Sequence, residues 1–517
     1  MAFDLTPLIR PSFIRRFSRT RAWADEGERI QTRLLRDLVI EGSSTHIGKV
    51  HGFDFLTEGV RDDDPSDRAL RNLYQEFRNR IPPTEYEDIR PLVMRMINGE
   101  ADLLWPGVCR DFAQSSGTSG GRSKYIPVTR DSLRHNHYAG SADCVASYLN
   151  LNPNSRMFSG KGFILGGSFA TQLEVKDPKV RIGDLSAILI SRIPFGAGLF
   201  RIPDKKTALM PDWESKLPAL AKSAARANVT NISGVPSWFL TVIQRICEIR
   251  GTETISEVWP NLEVFFHGGI SFAPYRDIYR TLTNPEKMHF LETYNASEGF
   301  FAVQDDFSDP GMLLLIDNGI FYEFLPLTGG NPLPMWEVSE GEVYELVITS
   351  CNGLWRYRLG DTVRIESLSP LKITIAGRTR SFINAFGEEL MEDNAEKGIA
   401  EACARTGARI RNYTAAPRYA EGNRRGRHQW AIEWEQRPES VDEFAVILDG
   451  ALRRLNSDYD AMRSHTIFLD PPQIISVPPG TFDRWLHSVG THKLGGQRKV
   501  PRLSNDRHII EQLLELR

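Results

Sequence analysis

The stretch Gln114-Ser-Ser-Gly-Thr-Ser-Gly-Gly-Arg-Ser-Lys-Tyr-Ile-Pro127 is a dense cluster of hydroxyl residues and glycines that ends in basic side chains. Glycine lets the backbone turn successive N–H groups inward, and serine and threonine hydroxyls add hydrogen-bond donors, so this loop is a suitable cradle for a triphosphate. It is not a Walker A loop, because Arg122 and Ser123 stand where Gly-Lys is required. A flexible surface linker is the alternative reading of the same composition.

Two further clusters follow along the chain. The segment Thr293-Tyr-Asn-Ala-Ser-Glu298-Gly-Phe-Phe comes after the strand-like Met288-His-Phe-Leu-Glu292, and Glu298 is either a ligand for a hard metal ion or an ordinary acid at a strand end. The segment Trp355-Arg-Tyr-Arg358-Leu-Gly-Asp361 precedes Gly377-Arg378. An aspartate directly after glycine suits acceptance from two ribose hydroxyls, and it is also common in plain β-turns.

Composition limits the classes of partner. The 517 residues carry 63 basic and 66 acidic side chains, a formal charge of −3, so no global excess indicates nucleic acid or an anionic membrane surface. We therefore expect small-molecule substrates, with no nucleic acid and no membrane as partner. The 41% hydrophobic content and the length predict a large core divided over two or more domains.

Cysteine usage and apolar runs indicate the compartment. Five cysteines lie far apart with no CxxC pair, which favours a reducing environment, and we expect a cytoplasmic protein. Apolar runs such as 312–316 fall far short of the roughly 20 residues of a membrane span. The arginine-rich first residues weakly resemble a transit peptide, but an amphipathic helix continuing through Asp37 is the favoured interpretation.

The pattern of apolar residues predicts an α/β protein. Residues 1–105 have helical spacing, and the following region alternates helices with β-like runs. We predict strands at 162–165, 185–190, 262–266, 343–348 and 429–435, and helices at 215–227, 238–249, 388–406 and 441–455. The predicted domains are 1–380, a large N-terminal domain of mixed sheets and helices, and 381–517, a small α+β domain, joined near residues 379–386.

Read in order, the three clusters resemble the auxin-responsive acyl acid-amido synthetases of the Gretchen-Hagen family, best known from plants. That family lies within the adenylate-forming superfamily of acyl-CoA ligases and luciferases. The resemblance covers most of the chain. It includes Phe77-Arg-Asn-Arg-Ile-Pro-Pro-Thr-Glu-Tyr-Glu-Asp-Ile-Arg-Pro91, followed by Asn98-Gly99-Glu100, which looks like that family's lead-in to its phosphate loop.

The resemblance implies an N-terminal domain that binds ATP and an acid, with a small C-terminal cap domain that swings over it between half-reactions. It implies roles for the following residues: Ser115, Ser116, Gly117, Thr118 and Ser119 at the phosphates, Thr293, Tyr294 and Asn295 beside the adenine, Glu298 on Mg²⁺, Asp361 on the ribose, and Arg378 near ribose or phosphate. The segment 266–270 resembles a glycine-containing strand end that touches the base.

Two departures from the family pattern affect the lysine. Residues 384–389 read Asn-Ala-Phe-Gly-Glu-Glu, where plant members often carry a lysine. Near the C-terminus, residues 495–502 resemble the family's closing Gln-Tyr-Lys-x-Pro-Arg with Arg498 in place of the tyrosine, which makes Lys499 the candidate catalytic residue. A solvated lysine in a basic tail is the alternative.

The implied function is an ATP- and Mg²⁺-dependent ligase that adenylates a small carboxylic acid and transfers the acyl group to an amino acid or another amine. An acyl-CoA ligase shares the first half-reaction, and a non-catalytic acid-binding protein is a further alternative. The amine must be neutral to attack, so a base or a proton path is expected. His135, His137 and His267 are candidates for this base, and the sequence assigns none of them.

Overall fold

A computed structural model describes residues 4–61, 65–115, 123–169, 171, 173–193, 196–270, 272, 275–378, 382–419, 425–464, 469–488 and 500–516. The chain divides into two compact units. The first contains the described residues of 4–115, 124–269 and 276–378, and the second those of 382–516 together with Ser123, Ile270, Phe272 and Tyr275.

The first unit begins with helices, as the spacing predicts. They are α1 (Thr6–Ser18), α2 (Trp23–Gly42), α3 (His46–His51), α4 (Phe53–Leu56), α5 (Asp67–Arg80) and α6 (Tyr86–Ile97), with a 3₁₀ turn at Arg19–Ala22. Leu35, Leu38 and Val39 are buried on one face of α2, the apolar stripe expected of an amphipathic helix. On the same helix the buried Gln31 amide donates to the carbonyl oxygens of Ile316 and Ile320 at 2.5 and 2.9 Å. This amide ties the helical region to the sheet that follows.

The rest of the first unit alternates strands and helices. In chain order these are β1 (Asp111–Ser115), β2 (Lys124–Pro127), α7 (Tyr138–Leu151), β3 (Lys161–Ile164), β4 (Arg181–Gly183), α8 (Leu185–Arg192), β5 (Arg201–Ile202), α9 (Lys205–Ala208), α10 (Trp213–Ala224), β6 (Val229–Gly234), α11 (Pro236–Arg250), α12 (Ile255–Val258), β7 (Val264–His267), α13 (Arg276–Leu282), β8 (His289–Ala296) and β9 (Gly299–Gln304). They continue with β10 (Met312–Leu314), β11 (Ile320–Pro326), β12 (Leu333–Pro334), β13 (Val343–Ser350), β14 (Tyr357–Leu368) and β15 (Leu371–Arg378). No described helix is long and apolar enough to cross a membrane.

These strands form a twelve-stranded sheet in the order β12-β11-β13-β14-β15-β10-β9-β8-β7-β6-β3-β5 and a smaller sheet in the order β2-β1-β4. Strands β5, β3, β6, β7 and β8 are parallel to one another. The remaining neighbours in this order, from β8 through β9, β10, β15, β14, β13 and β11 to β12, pair antiparallel. The register aligns Gly234 and His267, the last residues of β6 and β7, with Glu292 in the middle of β8. In open α/β sheets ligands bind outside the carboxyl ends of the strands.

The α/β prediction is confirmed, with one local error. Residues 185–190 were expected to form a strand and instead form most of helix α8, which buries Ala187, Ile188 and Ile190. A short continuous apolar run fits a buried strand and a buried helix equally well, and periodicity does not separate them. Here the tertiary environment decides the conformation.

The second unit is a small α+β arrangement. Its elements are β16 (Phe382–Ile383), β17 (Leu390–Met391), α14 (Glu392–Thr406), β18 (Arg409–Arg418), β19 (Arg427–Gln436), α15 (Val441–Leu455), α16 (Ser457–Arg463), β20 (Gln473–Val477), α17 (Thr481–Ser488) and α18 (His508–Glu515). Strands β18, β19 and β20 form a sheet in that order. The helix predicted at 441–455 has the predicted bounds, whereas the one predicted from residue 388 starts at Glu392, because residues 390–391 pair as β17.

A buried ion pair joins the helices of the first unit to its sheet. The Arg356 guanidinium, 2% exposed, donates to both carboxylate oxygens of Glu323 at 2.8 Å. It also donates to the carbonyl oxygens of Arg78 and Ile81 at 2.9 and 2.6 Å, at the end of α5. Every partner of this cation is therefore inside the fold, where an unpaired charge would be costly.

We expect Arg356→Met to lower the free energy of unfolding by about 3–5 kcal/mol, because it leaves the Glu323 carboxylate buried without its counter-charge. Removing both charges in Arg356→Met with Glu323→Leu should recover much of that loss. Urea denaturation of the three proteins gives the comparison. Arg245→Met, which breaks an exposed ion pair with Glu248, is the control and should leave the midpoint nearly unchanged. A single variant as stable as this control would contradict the assignment.

Candidate functional site

The predicted phosphate loop connects two paired strands. Ser115 is the last residue of β1, Lys124 is the first of β2, and the two are Cα partners in an antiparallel register. The chain therefore leaves and re-enters this small sheet at one place, as a compact loop requires. Four of the predicted phosphate ligands, Ser116, Gly117, Thr118 and Ser119, lie outside the described residues.

The predicted adenine segment lies against the glycine-containing end of β7. Thr293 Oγ1 donates to the carbonyl oxygen of His267 at 3.1 Å. A Cβ atom on Gly268 would lie 2.4 Å from the Thr293 carbonyl oxygen and 3.2 Å from Asn295 Oδ1. Only glycine permits so close an approach of the two strand ends. The structure thus brings His267 and Gly268 together with Thr293 and Asn295.

Asp361 and Tyr294 are directly bonded. The Tyr294 hydroxyl donates to Asp361 Oδ2 at 2.7 Å, and both side chains are largely buried. Asp361 lies on β14, which is separated from β8 in the sheet by β15, β10 and β9. The backbone of Arg378 pairs with Asp361 in the β14–β15 ladder, while its side chain lies outside the described residues. Two of the three sequence clusters therefore meet at one hydrogen bond.

Glu298 lies in the turn between β8 and β9 and is largely buried. Its carbonyl oxygen accepts from the side-chain amide of Asn352 at 3.2 Å. Among the described residues no group of three or more His, Cys, Asp and Glu is placed to hold a metal. A lone carboxylate nevertheless fits Mg²⁺, which commonly uses one or two protein carboxylates and completes its shell with water and substrate phosphates.

Two residues outside the predicted set complete this region. The Lys124 ammonium lies 3.3 Å from the Tyr357 hydroxyl and donates to it. Burial raises the pKa of Tyr357 well above its usual range, and the nearby carboxylates of Glu298 and Asp361 add to the effect. The phenol is therefore neutral and accepts from the lysine. Both residues stand inside the sequence clusters, and a lysine that closes a glycine-rich loop was the signal that could have identified Lys124.

Two of the three candidate histidines, His137 and His267, are buried and neutral. Burial, with a smaller contribution from Arg276, lowers the pKa of His267 to about 3. Burial alone lowers the pKa of His137 to about 4. Burial raises the pKa of Glu292, the register partner of His267, and the charge of Arg276 offsets part of this rise. No base for the amine is assigned from these groups.

Within the second unit, the closing motif is held against β18. Lys499 itself lies outside the described residues. Just after it, the Arg502 carbonyl oxygen accepts from the Ala415 N–H at 2.9 Å, and Ser504 N–H donates to the Ala415 carbonyl at 3.0 Å. The Arg502 guanidinium lies over the Tyr413 ring at 4.7 Å. The chain that follows Lys499 is thus pinned along an edge strand.

Residues 384–389, where plant members of the family often carry a lysine, are organised around the side chain of Glu388. The Glu388 carboxylate is fully buried, accepts from the Phe386 N–H at 2.7 Å and lies 2.7 Å from His428 Nε2. It also accepts from the Ala385 N–H at 3.3 Å. A carboxylate with these partners stabilises its own loop.

The chain matches the GH3 family N-terminal domain over residues 16–288, the central domain over 313–378 and the C-terminal domain over 393–508. It is 23% identical to the probable indole-3-acetic acid-amido synthetase GH3.1 of Arabidopsis thaliana over 515 residues, covering 84% of this chain and 85% of the relative.

Two solved structures share its fold. The acyl acid amido synthetase AtGH3.15 in complex with 2,4-DB has a TM-score of 0.59 at 18% identity, covering 97% of this chain and 95% of that one. The 2-hydroxyisobutyryl-CoA ligase in complex with 2-HIB-AMP and CoA has a TM-score of 0.55 at 12% identity, covering 95% and 92%. At these identities the likeness concerns architecture alone.

Proposed function

This chain belongs to the GH3 family, and from that premise we propose that it is an ATP-dependent acyl acid-amido synthetase. It adenylates a small carboxylic acid, releases pyrophosphate and transfers the acyl group to the nitrogen of an amino acid or another amine. The observation that carries the proposal is the hydrogen bond between Tyr294 and Asp361, which brings the predicted adenine and ribose segments together. The relatives' names, which describe amido synthetases, support the same reaction class.

In the first half-reaction a carboxylate oxygen of the acid bonds to the α-phosphorus of ATP as the bond to pyrophosphate breaks. Two anions approach each other, so the protein must stabilise the negative charge that accumulates. We assign this role to the loop 115–119, Lys124 and Lys499. Glu298 would hold Mg²⁺, which when bound neutralises phosphate charge.

In the second half-reaction the amine nitrogen bonds to the acyl carbon, and AMP leaves with the electron pair of the broken acyl–oxygen bond of the mixed anhydride. The acyl adenylate is already activated, so the protein acts mainly by holding the amine beside the carbonyl. The amine loses a proton in this step. Asp361 would accept from the ribose hydroxyls, and Arg378 would lie near ribose or phosphate, so that the adenylate stays in place between the two half-reactions.

The direct test is an exchange of labelled pyrophosphate into ATP across a panel of carboxylic acids. We expect exchange only when a suitable acid is present, and we expect product mass spectrometry to detect an amide when amino acids are added. A thioester formed with CoA and no amide would instead identify an acyl-CoA ligase. If no acid of the panel supports pyrophosphate exchange although the protein still binds ATP, a non-catalytic acid-binding protein would be favoured.

Replacing Glu298 should change the metal requirement. In Glu298→Gln we expect slower adenylation and a higher Mg²⁺ concentration for half-maximal rate, because a neutral amide is a poorer ligand for a hard cation. The measurement is a Mg²⁺ titration at saturating ATP and acid. The exposed Glu337→Gln is the matched control. A titration in Glu298→Gln that superimposes on the control would remove Glu298 from the metal site.

Replacing Lys499 should affect one half-reaction. We expect Lys499→Ala to slow adenylation by roughly 10²–10³, the scale measured for loss of a preorganised electrostatic donor. Aminolysis of chemically prepared acyl adenylate should stay nearly unchanged, because the charge that the lysine neutralises develops during attack on phosphorus. The exposed Lys397→Ala in the same unit serves as control. Equal slowing of both half-reactions would instead indicate a structural role.

A further inference from the structure

The lead-in segment before the phosphate loop has no role in the mechanism above, yet it contacts the site from outside. Thr84, between α5 and α6, lies alongside the start of β14 and forms an isolated parallel bridge with Tyr357. Thr84 N–H donates to the Arg356 carbonyl oxygen at 2.9 Å, and Arg358 N–H donates to the Thr84 carbonyl oxygen at 2.8 Å. The Thr84 hydroxyl also donates to the carbonyl oxygen of Trp355 at 3.1 Å. The lead-in thus extends the ladder at the beginning of the Asp361 strand.

Two residues later the same segment reaches the exit strand of the phosphate loop. The Tyr86 ring is 2% exposed, and its hydroxyl oxygen accepts the Tyr125 backbone N–H at 2.8 Å. Strand β2 is an edge strand, because β1 is its neighbour in the sheet and its other side has none among the described strands. A buried N–H on such an edge needs an acceptor from elsewhere in the fold. Tyr86 supplies it.

A second contact links the same two strands through side chains. Lys124, the first residue of β2, donates to the hydroxyl of Tyr357, the first residue of β14. Tyr357 is fully buried, so its ring offers a fixed point for the flexible lysine. The three-residue stretch from Thr84 to Tyr86 and the Tyr357 phenol therefore hold β2 and β14 at one separation.

From these contacts we infer that Tyr86, Thr84 and Tyr357 are positioning residues for ATP. They set the distance between Lys124, at the exit of the phosphate loop, and Asp361, four residues beyond Tyr357 on its strand. The inference rests on the proposed function, because it takes these two groups to bind opposite ends of one nucleotide. A displacement of about 1 Å, caused by a change far from the reacting atoms, can lower the rate by a factor of 10². The clamp formed by Thr84, Tyr86 and Tyr357 therefore matters for adenylation.

The test uses Tyr86→Phe, which keeps the buried ring and removes the oxygen that accepts the Tyr125 N–H. We expect KM for ATP to rise about tenfold, the effect of one buried donor left without an acceptor. KM for the acid and the rate of aminolysis of prepared acyl adenylate should stay unchanged. Tyr357→Phe should behave in the same way, and the double variant should lose less than the product of the two, because both residues hold the same strand.

Tyr148→Phe is the matched control. This tyrosine is also buried in the first unit, and its hydroxyl is hydrogen-bonded to Glu263 and Asn152. It should lower the melting temperature without changing KM for ATP. If Tyr148→Phe raises KM for ATP as much as Tyr86→Phe does, or if KM for the acid rises in parallel, the positioning role is overturned.

A binding measurement separates this inference from the proposed function. Fluorescence titration with a mant-labelled ATP should show weaker binding by Tyr86→Phe than by the wild-type chain, whether or not an acid substrate has been found. If the wild type binds the nucleotide but shows no pyrophosphate exchange with any acid of the panel, the proposed function is contradicted. The clamp is then still supported by the difference in affinity. Equal affinities of the wild type, Tyr86→Phe and Tyr148→Phe for the nucleotide would contradict the positioning role of the clamp.

Discussion

The buried guanidinium of Arg356 is the constraint on which the first unit depends. Arg356 has a positive φ of 47°, a conformation that non-glycine residues adopt at a cost. The cost is offset because its side chain makes four hydrogen bonds inside the fold, two to Glu323 and two to the end of α5. The Arg356 N–H is bonded in turn to the Thr349 hydroxyl at 3.0 Å. Because these bonds fix Arg356, they also fix the position at which the following strand begins.

That strand is β14, and its first five residues make the contacts that join the three sequence clusters. Tyr357 meets Lys124, and Asp361 meets Tyr294. Each contact is between a residue of β14 and a residue from a different sequence cluster, so the position of one strand decides whether the clusters converge. The close approach of Gly268 to Thr293 adds a second fixed point, next to Tyr294 in the chain. The candidate site is thus assembled by the placement of strands.

Two titratable groups near the candidate site are kept uncharged by burial. His267 is neutral because burial disfavours its charged form, and Tyr357 stays protonated for the same reason. Neither group carries a charge at the proposed nucleotide site. Lys124 remains as the described cation in contact with Tyr357, which places positive charge at the exit of the loop. The low polarity that sets these states also strengthens any charge interaction made by the bound nucleotide.

Features that depend on neighbours along the chain could be predicted from the amino-acid sequence. Helix α15 has its predicted bounds because both of its determinants are local: the Ser440 hydroxyl accepts from the Glu443 N–H at its start, and its apolar residues repeat at helical spacing. The three clusters were likewise visible as local patterns of glycine, hydroxyl and acid. Contacts between distant segments, by contrast, make residues 185–190 a helix, join Tyr294 to Asp361 and let Tyr86 accept from β2. Those outcomes depend on groups brought together from distant parts of the chain, and periodicity in one segment carries no information about which distant surface it will meet.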